Sequence, residues 1–451
     1  MTSTASAARP SRGDELELTI DSLAHGGNGV ARHDGYVVFV AGAVPGDRVR
    51  AVVGKAKRAY AEARTVEVLE PSADRIPPAA AHPGAPWQVL PYERQLEVKA
   101  AQVGEALERI GRLEGFALEP IVPAAEPWRY RNKLEYSFGT GPGGELVCGF
   151  HAPGRWDEIL PMDDCLLASE RSNELREHVL AWARAQGLTA WDRREQHGLL
   201  RNLVIREGRR TGELQVRLVT SAGAVDTDSL VDAVRCDGLF WTRQEQLGET
   251  SLGGDTVLLA GTPQLRERLS GLEFLISPEA FFQTNTEMAE RLYGVAAELA
   301  QLRGTERVFD LYCGIGTIGL TLAARAREVI GVEIVEPAVA DAIENARFND
   351  VLNARFYAGD IRLAMRDLVA EAGRPDVVVV DPPRAGLSQK VVRRILEAQP
   401  SRIVYVSCNP TTLAPNAAQM VEAGYALERV RPVDMFPQTP HIECVALLTR
   451  D

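Results

Sequence analysis

The stretch FDLYCGIGTIGL, residues 309–320, decides how the C-terminal half of this chain is read. It begins as a short apolar strand, and its glycines then break the strand and open a helix. Gly314, Gly316 and Gly319 have the G-x-G-x-x-G spacing, in which bare backbone can approach a ligand closely. Glu333 ends the next apolar run, VIGVE, where a strand-end carboxylate can accept hydrogen bonds from ribose hydroxyls. Together they predict a cofactor that contains adenosine. A nicotinamide dinucleotide satisfies this spacing as well as a nucleoside sulfonium does, so the choice depends on what lies downstream.

Outward from this stretch, the runs VFDLY (308–312), VIGVE (329–333), ARFYAG (354–359), VVVVD (377–381) and RIVYVS (402–407) alternate with helical segments. That alternation predicts an α/β domain over 278–451, a Rossmann-like, mostly parallel, doubly wound sheet. YALERVRPVDMF (425–436) and HIECVALLTR (441–450) add two strands as an antiparallel edge. Residues 14–72 hold short alternating strands, LELTI, GYVVFVAGAV, DRVRAVVGKA and ARTVEVLE, punctuated by turns at 26–29 and 45–47. They suit an OB-like small β-barrel. Residues 73–277 read as an Ala/Pro-rich linker (73–87), a helix over 92–111 and an α+β middle domain. The helix shows Leu96, Val103, Leu107 and Ile110 on one face with Gly111 as its cap. Residues 1–13 read as a disordered leader.

Composition excludes several classes. The 451 residues are 45% hydrophobic and 25% charged, and no window approaches the ~18–20 apolar residues of a membrane span. The cysteines at 148, 165, 236, 313, 408 and 444 are scattered without C-x-x-C spacing. This predicts neither a disulfide framework nor a metal site, and a cytoplasmic location. A formal net charge of −12 does not announce a nucleic-acid binder. Two local clusters do carry basic charge, one between Arg48 and Arg64 and one at Arg193, Arg194, Arg201, Arg206, Arg209 and Arg210. Both are also compatible with ordinary solvated faces.

VVVVDPPRAGL places Asp381 at the carboxyl end of a buried strand, the edge where ligands bind in open α/β sheets. A strand-end Asp-Pro-Pro is frequent in nucleobase methyltransferases, but those acting on exocyclic amines follow it with an aromatic residue. Here Arg384 follows. The next strand runs into YVSCNPTTL, with Cys408 at the same sheet edge. Such a thiolate serves a base carbon that is too weak a nucleophile to accept a methyl group unaided, as carbon 5 of uracil is. Addition of the thiolate to carbon 6 makes carbon 5 enolate-like, and a base must then remove the carbon-5 proton. Glu443, in the otherwise apolar last strand, is the candidate base, because a carboxylate buried there without purpose would be costly. His441 competes for that role.

These motifs, FDLYCGIGTIGL, GVEIVEPA, DPPRAGL, YVSCNPTTLAPN and DMFPQTPHIECV, in this order, closely resemble the S-adenosylmethionine-dependent RNA 5-methyluridine methyltransferase family. FFQTN (281–285) and YRNKLEYSFG (130–139) extend the resemblance upstream, and the N-terminal strands look like its RNA-binding barrel, the TRAM domain. The resemblance implies Cys408 as nucleophile and Glu443 as proton acceptor. It also implies Gln283, Tyr312, Glu333 and Asp381 as cofactor contacts, with Asp381 also near the target base; Gly314, Gly316 and Asp360 are counted with the cofactor site. The implied substrate is a uridine in structured RNA, transfer or ribosomal, handled by a monomer. Tyr36, Phe39 and the segment WRYRNK (128–133) are candidate RNA contacts. Many members hold an iron–sulfur cluster through three cysteines after the barrel and a fourth in the middle domain. The matching stretch here contains no cysteine, and only Cys165 resembles the fourth ligand, so no cluster is expected. Methylation of carbon 5 of cytosine, a non-catalytic RNA-binding protein and a nicotinamide dehydrogenase are the alternatives. The last leaves Cys408 and the DPPR loop without a role.

Overall fold

The computed structural model describes residues 9–450 apart from 247 and 249, so residues 1–8 of the expected leader lie outside the described residues. The rest of the leader is tied down: Gly13 N donates to Val53 O at 2.8 Å. The N-terminal strands are β1 (Glu15–Thr19), β2 (Ser22–Leu23), β3 (Gly29–His33), β4 (Tyr36–Ala41), β5 (Arg48–Ala56) and β6 (Tyr60–Glu70), in the order β1-β5-β6-β4-β3-β2. Period-2 alternation turns Leu16, Leu18, Val38, Val40, Val49, Ala51 and Val53 into one core. β2 and β3 are additional to the strands read from the sequence, being too short and polar to show a pattern.

The Ala/Pro-rich linker is packed against its neighbours. Arg75 pairs with the fully buried Asp47 at 2.6 Å, and Trp87 is buried with its backbone N–H donating to Gln438 O at 2.9 Å. The helix α1 (Tyr92–Glu105) continues into a π-helical turn over Ala106–Ile110. Gly111 does not supply the left-handed cap; its φ is −77°, and Arg112 takes the positive φ instead. Nor is the buried face the expected one. Val103 and Leu107 are buried, but Ile110 is 52% exposed, and Gln95, Lys99 and Gln102 are buried in its place.

β7 (Ala117–Leu118) precedes a seven-stranded middle sheet. Its strands are β8 (Lys133–Thr140), β9 (Leu146–Ala152), β10 (Arg155–Pro161), β11 (Leu200–Glu207), β12 (Leu214–Thr220), β13 (Gly238–Arg243) and β14 (Asp255–Gly261), with α2 (Glu170–Ala185) and α3 (Thr227–Ala233) between them. α2 and α3 share one core with this sheet.

The hairpin β15 (Leu265–Leu269) and β16 (Leu272–Ile276) leads through α4 (Thr286–Ala300) into the C-terminal sheet. There follow β17 (Arg307–Leu311), α5 (Thr317–Ala323), β18 (Glu328–Glu333), α6 (Glu336–Phe348), β19 (Ala354–Ala358), α7 (Ile361–Ala372), β20 (Val377–Val380), α8 (Gln389–Ala398), β21 (Arg402–Ser407), α9 (Pro410–Glu422), β22 (Ala426–Val433) and β23 (Glu443–Thr449). The order β19-β18-β17-β20-β21-β23-β22-β7 is parallel from β19 to β21, and β23 inserts antiparallel between β21 and β22. Both faces are buried, so β20 reads as four consecutive valines. Parts of 73–277 pack with this sheet: the hairpin joins one face, α1 residues join the other, and β7 pairs with β22 at the edge. Among the described residues no helix is long and apolar enough to cross a membrane.

Candidate active site

The cofactor side is built where β17 stops. Tyr312, Gly314 and Gly316 all take positive φ (65°, 54° and 85°), which curls the chain back before α5. A side chain on Gly314 would meet nothing within 4 Å, so the loop leaves open space there, whereas one on Gly316 would come within 3.0 Å of Phe356. Gly319 N donates to the buried Asp310 at 2.8 Å, and a Cβ on Gly319 would lie 2.7 Å from that same oxygen. Asp310 thus pins the loop, a role not evident from the sequence because an acid inside a buried strand shows no spacing signal. Burial pushes its carboxyl up to about 7. Glu333 receives Gly314 N at 3.2 Å, Ile334 N at 2.7 Å and Val335 N at 3.0 Å, joining the glycine loop to the end of β18.

Gln283 is buried on the segment before α4, where its carbonyl accepts from Asn132 Nδ2 at 2.9 Å. Asn285 in the same FFQTN segment caps α4, its side chain accepting from Met288 N at 3.2 Å. Asp360 caps α7 just after β19, and its two carboxylate oxygens share the Arg362 Nε–H at 2.9 and 2.8 Å.

The other half of the site comes from three neighbouring strand ends. Asp381 follows β20, Cys408 follows β21, and Glu443 begins β23. Ser407 pairs with Cys444 across the β21–β23 ladder, and continuing that register by one residue sets Cys408 opposite Glu443. Asn409 caps α9, and its side-chain N–H donates to Arg384 O at 3.1 Å, tying the DPPR loop to the cysteine loop. Electrostatics couples the group. The Cys408 thiol is pushed up to about 11 by burial first and then by Glu443 and Asp381, against the opposing charge of Arg384. Burial pushes Asp381 up to about 7. Glu443 is also raised, by burial and then by Asp381, again opposed by Arg384. Burial first, and then the two acids, thus favour the protonated thiol in the free protein, and Arg384 opposes them. The raised Glu443 suits a proton acceptor, since a carboxyl of high pKa is a strong base once ionised.

Several predicted RNA contacts are structural instead. Tyr130 is buried and donates to Pro437 O at 3.1 Å, and Arg129 pairs with Asp164 at 2.7 Å. Arg201 is buried over Trp191, and Arg206 is buried with its guanidinium on Ala280 O at 2.6 Å. Arg48, Arg50 and Lys55 pair with barrel glutamates, as solvated faces do. Tyr36 packs on the barrel core, while Phe39 contacts Tyr60 edge-on at 5.4 Å. In the stretch that matches the cluster region, His82 Nε2 stands 3.1 Å from Cys165 Sγ.

A parallel sheet with a pinned glycine loop, a strand-end acid, an Asp-Pro-Pro loop and a reversed last strand defines a methyltransferase that uses a nucleoside sulfonium. Residues 265–451 match the model of the tRNA (Uracil-5-)-methyltransferase family and residues 10–66 that of the TRAM domain. An RNA methyltransferase of Halalkalibacterium halodurans is 38% identical over 97% of both chains, and one of Gloeobacter violaceus is 39% identical over 97% of both. The solved Pyrococcus abyssi tRNA (uracil-54, C5)-methyltransferase in complex with S-adenosyl-L-homocysteine is 30% identical, with a TM-score of 0.78 over 96% of this chain and 100% of that one. The chain belongs to the tRNA (uracil-5-)-methyltransferase family and is an S-adenosylmethionine-dependent RNA methyltransferase. The dehydrogenase alternative falls with that assignment.

Proposed function

We propose that this enzyme methylates carbon 5 of a uridine in transfer or ribosomal RNA through a covalent Cys408–carbon 6 adduct, in the cytoplasm and as a monomer. The observation that carries this reading is the placement of Cys408, Glu443 and Asp381 on three adjacent strand ends, beside the glycine loop.

S-adenosylmethionine, when bound, supplies the methyl group. Its holders are Gln283, Tyr312, Gly314, Gly316, Glu333, Asp360 and Asp381, and Ile334, 65% exposed beside Glu333, adds apolar surface for the adenine. Cys408 adds to carbon 6 of the uracil, which turns carbon 5 into the nucleophile. Its thiol must first lose a proton, and Arg384 is the cation placed to favour the thiolate. Asp381 orients the base and Glu443 takes the carbon-5 proton, after which the thiolate leaves. Phe281, 68% exposed at the rim of a cavity of about 520 Å³ in the middle domain, offers a stacking surface to an unpaired nucleotide.

The test is methyl transfer from labelled S-adenosylmethionine to bulk RNA from cells lacking the protein, with nucleoside analysis, alongside Cys408→Ala and Glu443→Gln. Label in 5-methyluridine that vanishes with Cys408→Ala is expected. Label in 5-methylcytidine would move the substrate to cytosine. No label despite cofactor binding would support a non-catalytic RNA-binding protein and overturn the roles of both residues.

A further inference from the structure

Between β22 and Glu443 the chain runs without regular structure, yet five consecutive residues of this strap are held by side chains from elsewhere. Asp434, fully buried, accepts from Lys99 Nζ at 2.6 Å and from the Tyr92 hydroxyl at 2.8 Å. Met435 O accepts from Asn285 Nδ2 at 2.9 Å, Phe436 O from Lys99 Nζ at 3.0 Å, and Pro437 O from the Tyr130 hydroxyl at 3.1 Å. Gln438, at φ +66°, is gripped from both sides by Gln95: its N–H donates to Gln95 Oε1 at 2.9 Å, and its Oε1 accepts from Gln95 Nε2 at 2.8 Å.

Stability alone is a poor reason for this arrangement. Lys99 and Asp434 are both 0% exposed, and burying such a pair costs desolvation that apolar side chains of like size would avoid. What the contacts do supply is position, since each fixes a residue within nine of Glu443 in a segment with no ladder of its own. We propose that Lys99 and Gln95, on the buried polar face of α1, are positioning residues for Glu443, holding the strap so that its carboxylate meets the carbon-5 hydrogen. This rests on Glu443 being the proton acceptor.

The proposal names one step. The carbon-5 to hydrogen bond breaks and its proton passes to a Glu443 oxygen. The electron pair closes the carbon 5–carbon 6 double bond, and the sulfur–carbon 6 bond breaks to release Cys408 as thiolate. Thiolate addition and methylation precede this step and do not need Glu443. A displaced Glu443 therefore leaves enzyme covalently bound to methylated RNA, whereas general loosening of the fold slows every step and accumulates nothing.

The experiment uses the full chain carrying Gln95→Met, which leaves the ion pair intact, and separately Lys99→Met with Asp434→Asn, which removes both charges together. Each is incubated with bulk RNA from cells lacking the protein and with methyl-labelled S-adenosylmethionine, then denatured in detergent and digested with ribonuclease. Turnover should fall by about 10- to 100-fold, the scale of an ångström-size misplacement. The KM for RNA and binding of S-adenosylhomocysteine should stay near wild type, and label should remain on the protein, as in Glu443→Gln. Unchanged turnover, or a fall without protein-bound label while Glu443→Gln retains it, overturns the positioning role. No retained label in Glu443→Gln itself overturns the assignment of the base, and the proposal with it.

Discussion

His82 Nε2 lies 3.1 Å from Cys165 Sγ, in the buried seam where the segment after the barrel meets the middle domain. Burial pushes the imidazole down to about 4 and the thiol up, so both are neutral. Phe150 packs against the His82 ring with centroids 5.4 Å apart. A neutral thiol–imidazole contact thus joins the two segments that an iron–sulfur cluster spans in other members of the family.

His82→Ala should lower stability by about 1–3 kcal/mol, through a lost buried partner and an unfilled space. Thermal unfolding measures this, and an unchanged midpoint would show that the contact is incidental. Iron analysis of anaerobically purified protein should find well under one equivalent. Four equivalents with a cluster absorbance would overturn the two-group description.

The Cys408 thiol, pushed up to about 11, should be a slow nucleophile in the free enzyme. Only the thiolate reacts, so below that pKa its alkylation rate should climb about tenfold per pH unit. Arg384 lowers this pKa, so Arg384→Ala should slow alkylation at any fixed pH below it. Iodoacetamide labelling with peptide mass analysis at Cys408 checks both. A rate already level at neutral pH would mean that the free site holds a thiolate.

Gly319→Ala places a methyl group 2.7 Å from Asp310 Oδ2 and 3.0 Å from Val329. Neither neighbour can retreat easily, since one is the loop's pin and the other is in a central strand. A cost of about 1–3 kcal/mol is expected, with S-adenosylhomocysteine affinity weakened by at least the same measure. Calorimetric titration decides it, and wild-type affinity would show that the pin is not needed for the cofactor loop.

The barrel reaches the strap through its β2–β3 turn. A side chain on Gly27, at φ +93°, would lie 2.8 Å from Pro440, and Gln102 Nε2 donates to Leu23 O at 3.1 Å. Gly27→Ala should push the turn off the strap and raise the KM for RNA several-fold, leaving cofactor binding unaffected. Steady-state kinetics at varied RNA concentration measures this. A KM equal to wild type would separate the turn from RNA delivery.

Much of the C-terminal sheet was legible because its strands are buried on both faces and its ligand loops must use glycine. VVVV at 377–380 and the positive φ at Gly314 and Gly316 are the clearest instances. Cys408 and Glu443 were legible from their places at strand ends. The buried face of α1 was not: periodicity marks apolar residues, and Gln95, Lys99 and Gln102 are buried only because strap and barrel groups wait for them. The WRYRNK segment misled for the same reason, since Tyr130 presents as an aromatic beside cations and is in fact an interior anchor for Pro437.

The sequence by itself determined the glycine loop, the strand succession, the thiol, the carboxyl and the missing cluster cysteines, because local spacing and residue chemistry encode them. Only the tertiary structure decided that Cys408 stands across from Glu443, that burial and two neighbouring acids raise the pKa of its thiol, and that a distant helix clamps the strap. Antiparallel insertion of β23 brings together residues 35 positions apart, and the charges that set a pKa are those nearest in space, whatever their distance along the chain.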